Sequence, residues 1–436
     1  MKSLAVFMTM VLLLSAGADC QNLCRIQVDT NKTFQVMEGF GGFNNLEAWK
    51  NKSDEEKCNF LVNDLGLSIM RFELPPSFQP VKDSAFTLKG EVFGGPLLED
   101  NFKTIRILHK LGVKKFIATI WSPPAWMKTN NSTKNGGNLR SDMYEQFANY
   151  CASYCKVFQE QTGIPLYAIG LQNEPEFEET YNSCVYTPEQ MREALRWVGR
   201  KFRKDHIQTK IYLPEALPAQ QHLPDYFNAI NSDSETAGYA DIFAIHNYDS
   251  DGINVGGAGS REWEKYAGLA TSVQPAKEVW MTETSGHTNN WEGAMMLAAN
   301  IYNSIRYGNL SAWLWWSLTD TKSSEVFGLI IDGKPTGRYF ASKQFYRFIR
   351  PGAIRVEAAS SGNQVLALSF KHSGKYKFVS LLINRGNEKM EVDLPELEGR
   401  RSYYLSDSLS NCELQKNTNG NRIVLPSKSI ATITWE

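Results

Sequence analysis

The chain has 436 residues, 42% of them hydrophobic and 12% aromatic, with 46 basic against 47 acidic side chains and a formal net charge of −1. That size and apolar content suit a globular protein with a large core and more than one domain. The near-neutral balance gives no electrostatic reason to expect nucleic acid or an anionic membrane as partner.

The chain opens as a targeting segment. Lys2 supplies the charge, residues 4–14 an apolar run, and Ser15-Ala16-Gly17-Ala18 small residues before a cut. The run is too short to span a bilayer and no later stretch approaches twenty apolar residues, so a secreted, extracellular protein without a membrane span is expected. Cleavage after Ala18 leaves seven cysteines. Cleavage after Cys20 leaves the even set Cys24, Cys58, Cys151, Cys155, Cys184 and Cys412, which suits disulfides in an oxidising compartment. Residues 1–20 are therefore read as signal peptide, and a Cys24–Cys412 bridge would tie the chain ends together. The fourfold spacing of Cys151 and Cys155 suggests one helix face and, without a histidine pattern, no zinc site. Asn-X-Ser/Thr triplets at Asn31, Asn51, Asn130, Asn131 and Asn309 permit glycosylation in a eukaryotic host.

Residues 21–37 contain a strand-like stretch, 25–36, that precedes the main domain and is expected to join a side β-domain. From 38 to 350 apolar runs alternate with amphipathic stretches. The strand candidates are 39–43, 68–74, 114–121, 167–174, 210–216, 241–248, 278–285 and 311–318. Eight strands with helical crossovers predict an α/β fold, a (β/α)8 TIM barrel. A doubly wound open sheet is the alternative, but it announces a nucleotide with a glycine-rich turn, and no Gly-X-Gly-X-X-Gly or Walker pattern occurs. Ser53-Asp54-Glu55-Glu56 and Thr187-Pro188-Glu189-Gln190 predict capped helix starts, and Gly112 and Gly308 predict helix ends. After Arg350-Pro351-Gly352 the texture changes. Runs at 365–370, 377–384, 390–394, 402–405 and 430–435 read as strands parted by turns, so 351–436 is expected to form a side β-sandwich. With no flexible linker, it should pack tightly on the barrel.

Barrel sites lie at the C-terminal ends of the strands. Those positions hold Arg71 and Glu73 after strand two, Trp121 and Trp126 after strand three, and Asn173-Glu174 after strand four. Strand five ends in Glu215, strand six in His246-Asn247-Tyr248, strand seven in Glu283, and strand eight in Trp315-Trp316. A lone strand-end glutamate is ordinarily a surface charge. Glu174 and Glu283, however, end strands on opposite sides of an eight-membered ring, where two carboxylates can face each other and cleave a glycosidic bond, one as acid and one as nucleophile or base. Arg71 is either a structural ion-pair partner or the cation that keeps Glu283 ionised. His246 is either a core histidine or a contact to nucleophile or sugar, and Tyr248 either a packing residue or a donor to the nucleophile. Of Trp121, Trp126, Trp315 and Trp316, two should be core and the rest sugar platforms. Glu73, Glu176, Glu178 and Glu179 read as solvated loop charges. No Gly-X-Ser-X-Gly or His-Glu-X-X-His pattern occurs and only six histidines are present, so neither a serine nucleophile nor a catalytic metal or other cofactor is expected.

With those residues in place, the chain resembles glycoside hydrolase family 30 over nearly all of its mature length. The matching pieces are Glu38-Gly39-Phe40-Gly41-Gly42, Leu67-Ser68-Ile69-Met70-Arg71, Trp121-Ser122-Pro123-Pro124-Ala125-Trp126-Met127-Lys128-Thr129-Asn130, Leu171-Gln172-Asn173-Glu174-Pro175, Met281-Thr282-Glu283 and Phe348-Ile349-Arg350-Pro351-Gly352. The resemblance implies a retaining hydrolase with Glu174 as general acid/base and Glu283 as nucleophile. It also implies that Asn173 meets the substrate 2-hydroxyl, that Trp121 and Tyr248 shape the subsite at the cleavage point, and that a side β-domain is fused to the barrel. Arg71, His246, Trp315 and Trp316 complete the expected substrate-binding set.

Trp315-Trp316 and the 348–352 run look most like the xylanase branch. Members that require glucuronic acid carry an arginine soon after the strand-eight tryptophans, where this chain reads Ser317-Leu318-Thr319-Asp320-Thr321-Lys322. Lys322 would be an imperfect substitute, lacking the bidentate fork. The expectation is a monomeric endo-β-1,4-xylanase acting on polysaccharide with weak or no dependence on that decoration. A β-1,6-glucanase or glucosylceramidase-like enzyme is the alternative, and a carbohydrate-binding protein on a hydrolase scaffold the non-enzymatic one.

Overall fold

The computed structural model describes residues 23–92, 95–218, 222–248, 261–321, 327–415 and 420–436. Eight parallel strands close into a barrel: Gly39–Phe43, Ile69–Glu73, Lys115–Thr119, Ala168–Gly170, Lys210–Ala216, Ile242–Asn247, Glu278–Thr284 and Leu310–Trp315, the last pairing with the first. Alternation along each strand splits the apolar side chains into two cores. Ile69, Ile117, Tyr212, Ile242, Trp280 and Leu314 fill the barrel interior. Their neighbours in sequence, such as Met70, Phe116, Phe243, Met281 and Trp313, face the surrounding helices. The first strand can lie this close to the second only because it carries glycine, since a Cβ on Gly41 would sit 1.8 Å from the Ile69 carbonyl oxygen.

Both expected capping boxes form, Ser53 on helix Asp54–Asn59 and Thr187 on Pro188–Lys204. The latter helix turns Met191, Ala194, Leu195, Val198 and Phe202 inward at helical spacing. Gly112 takes the left-handed conformation just beyond helix Leu98–Lys110. Gly308 ends helix Trp291–Tyr307 with φ −84°, so its glycine is required for another reason: a Cβ would meet the Trp263 ring at 2.4 Å.

The remaining strands form one nine-stranded sheet in the order Asn411–Leu414, Arg401–Ser406, Ser429–Trp435, Phe378–Asn384, Val365–Lys371, Ile354–Ser360, Leu23–Val36, Met390–Asp393, Arg422–Leu425. Leu23–Val36 bulges twice and pairs antiparallel on one side and parallel on the other, so the sheet curls over itself as a sandwich. Val365, Ala367, Leu382 and Ile433 point into the sandwich. Leu366, Leu368, Phe370 and Ile383 point the other way and merge with the core under the barrel helices. Gln344, on helix Gly337–Tyr346, bonds Ser406 and Thr432 of the sheet at 2.8 Å. Both faces of the sheet are therefore buried, which locks it to the barrel.

The expected disulfides do not form among the described residues. Cys24, Cys58, Cys151, Cys155, Cys184 and Cys412 are all free and buried. Cys24 sits inside the sandwich with its Sγ 3.0 Å from Ser360 Oγ, whereas Cys412 belongs to the core shared with the barrel, so the sheet stands between them. Residues 1–20, read as signal peptide, lie outside the described residues. No helix among those described is long and apolar enough to cross a membrane.

Candidate active site

Strand four stops at Gly170, and a tight turn carries Glu174 into the cleft. Asn173 N donates to the Ile120 carbonyl at 2.8 Å, and Gln172 Nε2 donates to the carbonyls of Trp121 and Asn173, both at 2.8 Å. Glu174 itself takes a left-handed φ of 45°, a conformation that costs energy for a non-glycine residue and aims its side chain across the barrel mouth. Glu283 emerges from strand seven opposite. One oxygen of Glu174, one of Glu283 and a ring nitrogen of His246 all lie within 4.8 Å of one another.

The two carboxyl groups are held in different electrostatic states. Burial pushes both pKa values up. At Glu283 this is outweighed by the charges of Arg71 and His246 and by hydrogen bonds from Tyr248 and Arg71, which leave it below the usual carboxylate range. Tyr248 OH donates to Glu283 Oε1 and Arg71 Nη1 to Oε2. At Glu174 desolvation and the Glu283 charge win over His246 and Arg71, so its pKa rises. The two carboxyl groups are thus pushed apart in acidity, Glu174 the harder to ionise and Glu283 the easier.

Beneath them lies a buried layer. Arg71 is fully shielded and donates to Thr119 Oγ1, Asn173 Oδ1 and Glu215 Oε1, each at 3.0 Å, besides Glu283. Trp121 covers it, with the guanidinium 4.7 Å from the ring centroid. His246, also fully shielded, places Nδ1 3.2 Å from Glu174 Oε1 and Nε2 3.1 Å from Glu215 Oε1. Burial lowers its proton affinity, but Glu283, Glu174 and Glu215 together raise its pKa to about 9. Both ring nitrogens face carboxyl groups.

An open cleft of about 380 Å³ lies above this layer, lined by Trp121, Asn173, Glu174, Tyr248, Glu283 and Trp316, with Phe177, Glu179, Tyr181, Leu217 and Phe327 around the rim. Six of the expected site residues therefore meet at the cleft. Arg71 and His246 do not reach it; they act through the glutamates. Trp315 departs from expectation. It alternates with Trp316 along the chain, so its ring points outward into the helix layer, 1% exposed, where Nε1 bonds the Phe327 carbonyl. Trp126 is likewise held away, donating to the Gln79 carbonyl at 3.0 Å. Two of the expected loop charges are not solvated. Glu73 is 1% exposed. Glu176 accepts from Leu217 N at 2.6 Å, and burial pushes its pKa up to about 7. Glu215 was recognisable as a strand end but not as part of the site. Only the pairing of its side chain with Arg71 and His246, both distant in sequence, reveals it. Lys322 lies outside the described residues.

The Glycosyl hydrolase family 30 TIM-barrel domain model matches residues 100–347. The chain belongs to glycosyl hydrolase family 30. It is 25% identical to Glucuronoxylanase XynC of Bacillus subtilis (strain 168) over 93% of this chain and 90% of that protein. It is 23% identical to Putative glucosylceramidase 3 of Caenorhabditis elegans, covering 94% and 82% respectively. The catalytic domain of GH30 xylanase C from Talaromyces cellulolyticus superposes with a TM-score of 0.77 at 22% identity, covering 94% of this chain and 100% of that one, and so shares the fold. The protein is a glycoside hydrolase of this family, and a polysaccharide or glycoside is its substrate class.

Proposed function

We propose that the protein is a secreted, retaining endo-β-1,4-xylanase that does not require glucuronic acid side groups. The observation that carries the mechanism is the approach of the Glu174 and Glu283 oxygens to within 4.8 Å. Retaining glycosidases hold their carboxyl groups about 5–5.5 Å apart, whereas inverting ones need about 6.5–9.5 Å to admit a water. Ionised Glu283, held by Tyr248 and Arg71, attacks the anomeric carbon. Glu174 gives its proton to the leaving oxygen, then takes one from the incoming water as the glycosyl–enzyme ester breaks. Asn173 has its Oδ1 tied to Arg71, which turns its amide nitrogen toward the substrate 2-hydroxyl. Trp121 and Trp316, with ring centroids 5.8 Å apart, offer flat faces to the sugars.

The substrate assignment rests on similarity to xylanases along nearly the whole chain and on the charge of the cleft. Besides the proton-carrying Glu174, its described charged lining residues are Glu179 and Glu283, both acidic. A glucuronate substituent there would meet like charge, while neutral xylan would not. A second reading, a glucosylceramidase-like enzyme, draws on Phe177, Tyr181 and Phe327, whose apolar faces at the rim suit a lipid aglycone. Product analysis on glucuronoxylan, arabinoxylan, β-1,6-glucan and glucosylceramide side by side separates the two. Xylo-oligosaccharides of mixed length from both xylans are expected. Failure on both xylans with turnover of glucosylceramide would transfer the assignment to the second reading. Glu283→Gln should abolish turnover while leaving oligosaccharide binding intact; a sugar-binding protein would show no turnover to lose.

A further inference from the structure

Glu215 is the buried carboxylate that the two-glutamate mechanism does not use. It sits at the end of strand five with φ 58°, in the left-handed region, and is 0% exposed. Its Oε1 accepts from Arg71 Nη2 at 3.0 Å and from His246 Nε2 at 3.1 Å, with Thr119 Oγ1 at 3.4 Å. Its Oε2 has no hydrogen-bond partner among the described residues and lies against Gly170, where an added Cβ would come within 2.4 Å. A buried carboxylate solvated on one oxygen alone depends on cationic partners for its charge. Both of those partners reach a catalytic glutamate with their other end, Arg71 to Glu283 and His246 to Glu174.

The consequence for His246 follows from donor and acceptor roles. An ionised acceptor at Nε2 fixes a proton on that nitrogen, so Nδ1 is the atom left facing Glu174. We propose that Glu215 is a positioning residue for the acid/base: it holds His246 as an imidazolium whose Nδ1–H receives the negative charge of Glu174 each time Glu174 gives up its proton. This rests on the assignment of Glu174 and Glu283 above. When the glycosidic C–O bond breaks, the Glu174 proton goes to the leaving oxygen and the carboxylate that remains is met by a charge-assisted donor already in place. No proton leaves the imidazole. In the second half-reaction Glu174 recovers a proton from water. The charged and titratable groups around the imidazole are Glu174 and Glu176 from the turn after strand four, Glu215 from strand five and Glu283 from strand seven, with Arg71 from strand two bonded to both Glu215 and Glu283. The raised proton affinity of His246 is consistent with the three nearest carboxylates, Glu174, Glu215 and Glu283.

Glu215→Gln keeps the shape and the acceptor oxygen but removes the charge. His246 then loses the carboxylate bonded to its Nε2, one of the three that hold its proton, and deprotonates at working pH. Two charges near Glu174 vanish together, and the closer one, on an imidazole nitrogen 3.2 Å away, dominates. The basic limb of the kcat/KM profile on a xylo-oligosaccharide, which reports the Glu174 proton, should therefore move to higher pH by about one unit. His246→Gln should move it in the same direction, and the double variant no further than either alone. A fall in kcat/KM of roughly 10- to 100-fold should accompany the shift. A basic limb that stays at its wild-type position in E215Q, whatever the loss of rate, overturns the proposal and leaves Glu215 a structural anchor. Should E215Q fail to fold, H246Q carries the same readout, and an unmoved limb there overturns the proposal equally. If Glu174→Ala itself keeps a wild-type profile, the acid/base assignment fails instead, which is a distinguishable result.

Discussion

Replacing Tyr248 with phenylalanine removes one hydroxyl and leaves the ring that lines the cleft. That hydroxyl donates to Glu283 Oε1, while Arg71 serves Oε2, so the substitution strips one of the two direct side-chain donors among the described residues from a carboxylate that is 5% exposed. A hydrogen bond to a charged group contributes about 1.5–3 kcal/mol. At about 1.36 kcal/mol per pKa unit, Glu283 should become harder to ionise by about 1–2 units. The sign follows from its starting state. Arg71, His246 and Tyr248 hold the Glu283 pKa below the ordinary carboxylate value against the opposing effect of burial, so its ionised form contributes stability above that value and loses it as pH falls through the folded pKa. Tyr248→Phe moves that loss to higher pH. The assay is kcat/KM from about pH 3 to about pH 9 on an activated aryl β-xylobioside, with the acid limb read as Glu283. The limb should rise by about 1–2 units and the basic limb by much less, because the bond that is lost is to Glu283, whereas Glu174 is bonded to His246. An acid limb coincident with wild type would refute the claim that Tyr248 helps keep the nucleophile ionised.

Other outcomes follow from the same geometry. Gly170→Ala would bring a methyl group to 2.4 Å from Glu215 Oε2 and 2.6 Å from the Tyr212 ring, both on the strand five side, so the melting temperature should fall by the equivalent of about 1–3 kcal/mol or more, with activity falling alongside. The two adjacent tryptophans should behave oppositely. Trp315→Ala empties a core site, costing about 3–5 kcal/mol in stability, whereas Trp316→Ala should raise KM for xylo-oligosaccharides with a much smaller effect on melting. Thiol titration should find Cys24, Cys58, Cys151, Cys155, Cys184 and Cys412 unreactive in the native protein and all reactive in denaturant without reductant; any that stayed unreactive in denaturant and appeared only after reduction would restore a disulfide.

The barrel was legible because its strands are short apolar runs with helical stretches between them, and the observed bounds fall within a few residues of the expected ones. Strand four is the exception of interest. The run 167–174 reads as one strand, yet pairing ends at Gly170 because the next four residues spend their polar groups on the turn that presents Glu174. Three strands of the side sheet escaped notice for a different reason. Asn411–Leu414 lies at one sheet edge and is largely exposed, so it carries little apolar signal; Arg422–Leu425, at the other edge, is only four residues long; and Ile354–Ser360 is broken by Arg355 and Glu357, which pair with Gln35 and Lys32 of the neighbouring strand. Glu174 and Glu283 could be read from strand ends alone. Glu215 could not, since its role depends on three-dimensional contacts, and Trp315 was misplaced because sequence adjacency to Trp316 hides the alternation that sends the two rings to opposite sides. The cysteine count was misleading because an even number says nothing about which side of a sheet each thiol occupies.

In the proposed mechanism Glu283 attacks the sugar directly. The stereochemistry of the first-formed product tests it: proton NMR recorded during the opening minutes of xylo-oligosaccharide hydrolysis, before mutarotation, resolves the new anomeric centre. β-Anomer is expected first, with α-anomer appearing only as mutarotation proceeds. Initial release of the α-anomer would mean a water stands where Glu283 is placed, and would contradict that mechanism.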